Sequence, residues 1–190
     1  SMIAHTMSEE QEHLKLYVNR MNDFGVGFGE LSLNDYFWKM ISKMDCPEQY
    51  LAWMSMTFEQ ANLDFSRHYQ DLFYQLDDRE THSLMKVVYE DEIGHLGGGI
   101  RWFKQFTQTK DLWKTWSHYM RGHINIVRAK GKPFDVEGRK LAGLDEQFIQ
   151  KIWVYQKSRG RTPQLAVWNA GEEIEITGAS LKGKAKDLQL

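Results

Sequence analysis

At 190 residues the chain is the size of one domain, or of one domain and a tail, and a hydrophobic fraction of 42% is enough to fill a real core. A formal net charge of -2 gives no overall electrostatic reason to expect nucleic acid or an anionic membrane surface as partner. The single cysteine, Cys46, excludes an intrachain disulfide, no apolar run is long enough to span a bilayer, and no signal-like segment opens the chain, so a soluble cytoplasmic protein is expected.

Few prolines and many long side chains favour helices. Ser1-Met2 reads as the remnant of a cleaved tag, so the natural start is expected elsewhere. From about Ile3 to Met21, apolar residues at Ile3, Met7, Leu14, Tyr17, Val18 and Met21 fall mostly at three- and four-residue spacings, which predicts a helix interrupted by the polar Glu10 and His13. Asn22-Asp23 and the glycines Gly25, Gly27 and Gly29 end it. A connection follows with a short helix from Leu33 to Lys43, whose Leu33, Phe37, Met40 and Ile41 are placed to lie against a bundle.

Pro47 suits the first turn of a helix expected to run to about Leu76, and a second long helix is expected from Arg79 to about Phe106. Asp77-Asp78 supplies a tight break with capping chemistry, and two long helices on a short turn pack antiparallel. Gly97 to Gly99 each weaken the second helix by ~1 kcal/mol relative to Ala, so they mark either close helix contact or a kink. Beyond Thr109 come a helix from Asp111 to about Arg128, a polar loop at Lys130-Gly131-Lys132-Pro133, and shorter helices over Val136 to Ala142 and Asp145 to Lys157. Leu165 to Trp168 and Glu173 to Thr177 read as short strands or an extended arm. The expected organisation is a bundle with the site over 3–109, a helical extension packed on it over 110–160, and an extended or partly flexible tail over 161–190.

Residues three apart share a helix face, so a Glu and a His at that spacing can reach one metal ion. Helical bundles that hold two ions draw such a Glu-x-x-His pair from each of two helices and single Glu residues from two others. Glu10 with His13 and Glu92 with His95 both have this spacing. If the hairpin turns at 76–78, Glu59 lies about 17 residues before its centre and the Glu92/His95 pair about 15 to 18 after it, so all three reach a similar height at roughly 1.5 Å per residue. Glu59 also sits among Trp53, Met56, Leu63 and Phe73, where an unpaired carboxylate is too costly without a partner or cation. Glu9 and Asp91 each stand four residues before one of these histidines. The expected outer pairs run crosswise, Asp91 to His13 and Glu9 to His95, because a ligating imidazole gives its second N–H to a carboxylate. His5, His68, His82, His118 and His123 lack an acidic partner in matching register, and Cys46 has no companion at ligand spacing.

Three stretches carry a resemblance. They are Met56-Thr57-Phe58-Glu59-Gln60-Ala61-Asn62-Leu63-Asp64, then Asp91-Glu92-Ile93-Gly94-His95 with Gly99-Ile100-Arg101-Trp102-Phe103, and Lys132-Pro133-Phe134 with Ala142-Gly143-Leu144. Over roughly residues 3 to 160 the chain resembles an uncharacterised bacterial ferritin-like family that is similar to the tRNA hydroxylases acting on an isopentenylated adenosine. The resemblance implies an all-α ferritin-like antiparallel helical bundle with a non-haem site for two iron ions, or for iron and manganese, on Glu10, His13, Glu59, Glu92 and His95. It also implies a sixth ligand, a Glu on a helix preceding Ile3. Either a longer chain carries that helix, or a partner chain completes the bundle, or the site is incomplete. An open bundle of this kind favours a homodimer.

The leading expectation is an oxygen-dependent oxidoreductase or hydroxylase in which Glu59 and Glu92 bridge two ions, His13 and His95 cap them and Glu10 binds one terminally. Its substrate would be a small molecule or a modified nucleoside. The rival readings are a ferritin-like protein that oxidises or binds iron without an organic substrate, and a metal-free helical scaffold or binding module. Arg121, Arg128 and Lys132 are candidates to meet an anionic group, with solvation as their ordinary role.

Overall fold

A computed structural model describes residues 2–120 and 124–155; Arg121, His123 and the tail expected over 161–190 lie outside the described residues. Among the described residues every regular element is helical and no strand forms, giving an all-α helical bundle. Helix α1 (Met2–Asp23) leads to the short α2 (Tyr36–Ile41). Next, α3 (Pro47–Tyr50), a π-helical stretch (Leu51–Glu59) and α4 (Gln60–Gln75) form one continuous rod, which turns back into α5 (Arg79–Thr107). Then come α6 (Leu112–Tyr119), a 3-10 turn (Ile126–Ala129), α7 (Val136–Leu141) and α8 (Glu146–Val154).

The hairpin forms where the sequence places it. Asp77 takes a left-handed φ of 60°, which Asp tolerates better than most residues, and Asp78 caps α5 by accepting from the Thr81 backbone N–H at 2.9 Å. The rod and α5 bury their apolar faces against each other, with Leu51, Ala52, Met56 and Leu63 in one core with Leu96, Ile100 and Phe103. Gly99 resolves the question raised by the glycine run in favour of close contact: a Cβ there would overlap the Ser55 Cβ and stand 2.8 Å from its Oγ. The other side of the core is closed by Trp116, Ile124, Ile126, Phe148, Ile149 and Ile152.

A buried ion pair fastens this second layer to the rod. Arg139 donates to both carboxylate oxygens of Asp64, at 2.6 and 2.8 Å, and Asp64 also accepts from the backbone N–H groups of Gly131 and Asp135. Lys130 Nζ donates to three carbonyls at the end of α8, those of Ile152, Trp153 and Tyr155. The loop 130–135 is thereby tied to α4 on one side and to α8 on the other.

Three expectations are corrected. The rod is not α-helical throughout. The Ala52 carbonyl is claimed by the Thr57 hydroxyl five residues on, at 2.7 Å, and by Trp116 Nε1 at 3.1 Å, and such insertions into the ladder widen a helix. The helix expected from Asp111 to Arg128 stops at Tyr119, whose carbonyl accepts from Trp53 Nε1, and the chain turns so that Ile124 and Ile126 enter the core. The helix expected over Leu33–Lys43 is confined to α2; Leu33 is exposed, while Phe37 rests edge-on against Phe58 with ring centroids 4.9 Å apart. On α1, the apolar residues Ile3, Met7 and Leu14 are 64%, 58% and 52% exposed. The stripe that meets α5 is Glu9, His13, Leu16 and Arg20, and its polar contacts set how α1 docks.

Candidate metal centre

Arg20 sets the register of α1. Its guanidinium donates to Asp78, Glu80 and the Thr81 hydroxyl at the start of α5. Leu16, one turn further in, packs on Leu84, Met85 and Val88. Two turns from the anchor, the two helices exchange histidine contacts. His13 Nε2 lies 2.9 Å from Asp91 Oδ2, and His95 Nε2 lies 3.0 Å from Glu9 Oε2. His5 on the surface extends the second chain, 3.1 Å from the other oxygen of Glu9.

Each imidazole therefore spends Nε2 on an outer carboxylate and turns Nδ1 inward. The rings are 6.1 Å apart between centroids, and Glu10 reaches toward both, Oε2 at 3.7 Å from His13 Nδ1 and Oε1 at 3.3 Å from His95 Nδ1. Glu10, given a terminal place from the sequence, is thus the carboxylate that spans the two histidines, because its position on α1 faces the gap between them. Glu92 Oε2 lies 3.7 Å from His95 Nδ1, and its Oε1 accepts from Asn62 Nδ2 at 2.8 Å. Glu59 comes from the far side, at the end of the π-helical stretch, and an oxygen of Glu10, an oxygen of Glu59 and a ring nitrogen of His95 all lie within 4.8 Å of one another.

Three buried atoms here lack a hydrogen-bond partner of acceptable geometry: Glu59 Oε2, Glu92 Oε2 and His95 Nδ1. Buried polar atoms are nearly always satisfied, so three orphans on neighbouring acids and a histidine fit a shared cation or proton. The electrostatics agree. Burial first, and the Glu92 charge second, push the Glu59 carboxyl up to about 7. Burial works against a charge on His95, but the carboxylates of Glu10 and Glu92 beside its Nδ1 outweigh it and lift the imidazole to about 11. The imidazoles of His13 and then His95, close to its oxygens, hold Glu10 down at about 2, and Glu10 in turn raises His13. Without a metal, protons on the two imidazoles are the positive charge that the acids gather.

The carboxylate and imidazole donors are those that first-row divalent ions take, and the outer carboxylates fix the tautomer that leaves Nδ1 free to bind. Residues 2–150 match the family described as Protein of unknown function (DUF455). The chain belongs to that family. No curated protein matches the chain, and no solved structure does. The DUF455 match takes in every residue of the centre.

Sequence reasoning missed Asn62, although it stands three residues after Glu59 and so shares part of its face. It also missed Ser55, four residues before Glu59, whose hydroxyl counters part of the rise in the Glu59 pKa. Of the cationic candidates, Arg128 lies over the Tyr36 ring at 5.7 Å and Lys132 is exposed.

Proposed function

We propose that this chain is a ferritin-like carboxylate protein that holds two iron ions, or iron and manganese, and uses them as an oxygen-dependent oxidoreductase or hydroxylase. The observation that carries this reading is the convergence of three orphaned buried atoms, Glu59 Oε2, Glu92 Oε2 and His95 Nδ1. When bound, the metal pair would supply the electrons and Lewis acidity that dioxygen reduction requires. The chain's own residues hold and shield it. His13 and His95 offer Nδ1, Glu10, Glu59 and Glu92 offer oxygens, and Asp91 and Glu9 hold the rings in place. Leu96, next to His95 in the chain, and Ile100, one turn on, belong to the buried core.

The organic substrate follows from resemblance alone. Kinship to tRNA hydroxylases suggests a modified nucleoside, and a net charge of -2 suits a small molecule better than a long phosphate backbone. A cytoplasmic setting fits such chemistry, and no helix among the described residues is long and apolar enough to cross a membrane. A homodimer fits the open apolar stripe of α1.

Metal analysis of protein expressed with iron and manganese supplied tests the reading. About two equivalents per chain are expected, together with a higher melting temperature on adding either metal to stripped protein. Less than a few tenths of an equivalent, with no thermal shift, would refute it and leave the metal-free scaffold.

A further inference from the structure

The donors are not shared evenly between the two histidines. Around His95 Nδ1 stand Glu10 Oε1 at 3.3 Å and Glu92 Oε2 at 3.7 Å, and an oxygen of Glu59 lies within 4.8 Å of an oxygen of Glu10 and of a ring nitrogen of His95. All three orphaned atoms belong to this position. Beside His13 Nδ1 stands Glu10 Oε2, at 3.7 Å. The other oxygen of Glu92 accepts from Asn62 Nδ2 at 2.8 Å. Both histidines are buried, at 2% for the His95 side chain and 5% for that of His13, and Glu92 is 3% exposed, while Glu10, common to the two positions, is 51% exposed.

We propose that the two ion positions are unequal: the one built by His95, Glu59, Glu92 and Glu10 fills first and tightly, while the one built by His13 and Glu10 fills second, weakly and exchangeably. The inference rests on the metal reading above. Two buried carboxylates together with the half-solvated Glu10 gain more from a divalent ion than Glu10 does alone, because affinity at such sites rises with ligand charge and number. Glu10 couples the two positions as their common ligand. Asn62 maintains the inequality by keeping Glu92 a one-oxygen ligand of the inner ion. The outer position keeps coordination sites for water or an incoming ligand, so exchange from outside occurs there.

The test is an anaerobic titration of the metal-free full chain with Co2+, followed by calorimetry and visible absorption. The expected result is two steps, the first at least ~10-fold tighter than the second. His13→Ala is expected to keep the first step and its absorption bands within ~3-fold in affinity and to lose the second, while Asn62→Ala narrows the gap. Two equivalents taken up in one step of equal affinity would overturn the inequality and leave the metal reading standing. Loss of the tight step in a folded His13→Ala variant would overturn it too, and a gap unchanged by Asn62→Ala would overturn the part given to Asn62. No Co2+ uptake by the unmutated chain would overturn both the inference and the metal reading. The titration of the unmutated chain decides the matter even if a variant fails to fold.

Discussion

An acid and a base whose pKa values are displaced upward together give the metal-free protein a characteristic response to pH. Glu59, raised to about 7, is penalised once it ionises, so stability falls as pH rises from the ordinary value of 4.5 to about 7. His95, raised to about 11, contributes stability that is complete below its ordinary 6.5 and lost as pH rises through 11. Glu10, lowered to about 2, contributes stability that is complete above 4.5 and lost on acidification. Thermal melts in chelator should therefore find the metal-free protein most stable near pH 5, and Glu59→Gln should flatten the fall between pH 5 and 7; a maximum at pH 8 or above would contradict these assignments. Two glycines of α5 supply a second comparison. A Cβ at Gly94 meets nothing within 4 Å, so Gly94→Ala should stabilise by about 0.5–1 kcal/mol, whereas Gly99→Ala forces Ser55 aside and should cost about 1–3 kcal/mol in urea unfolding. That Glu10, His13, Glu92 and His95 come together was legible because helical spacing is a property of the sequence itself. Asn62 was not, because its partner lies across the hairpin and nothing local in an Asn names it.

Elements were legible where they end in side-chain chemistry. The Asp78 cap, and those of Asp111, Asp135 and Asp145, mark four helix starts within a residue or so of their expected positions. The π-helical stretch and the early end of α6 were illegible because both depend on partners distant in sequence, namely Trp116 on the Ala52 carbonyl and Trp53 on the Tyr119 carbonyl. The tie between layers was equally hidden, since Asp64 and Arg139 are 75 residues apart. Asp64→Asn leaves the Arg139 guanidinium buried without its counter-charge and should cost about 3–5 kcal/mol. Chemical denaturation measures this directly, and a loss below about 1 kcal/mol would mean that the backbone carbonyls around Arg139 suffice.

At the scale of the whole molecule, the all-α class and the antiparallel hairpin were readable from periodicity, but the orientation of α1 was not. Periodicity finds an apolar stripe without saying what covers it, and on α1 the polar stripe carrying Glu9 and His13 won the place against α5 through its contacts with Asp91 and His95. The exposed Ile3, Met7 and Leu14 make the proposed dimer testable by light scattering, with a dimer expected and Leu14→Lys expected to give monomers. The dinuclear centre itself is tested most directly by anomalous scattering at the iron edge from crystals of iron-loaded protein. A dinuclear centre gives two peaks within about 4 Å of each other, one beside His95 Nδ1 and one beside His13 Nδ1, with the peak at His95 the more fully occupied. A map with no peak among Glu10, His13, Glu59, Glu92 and His95 would contradict it.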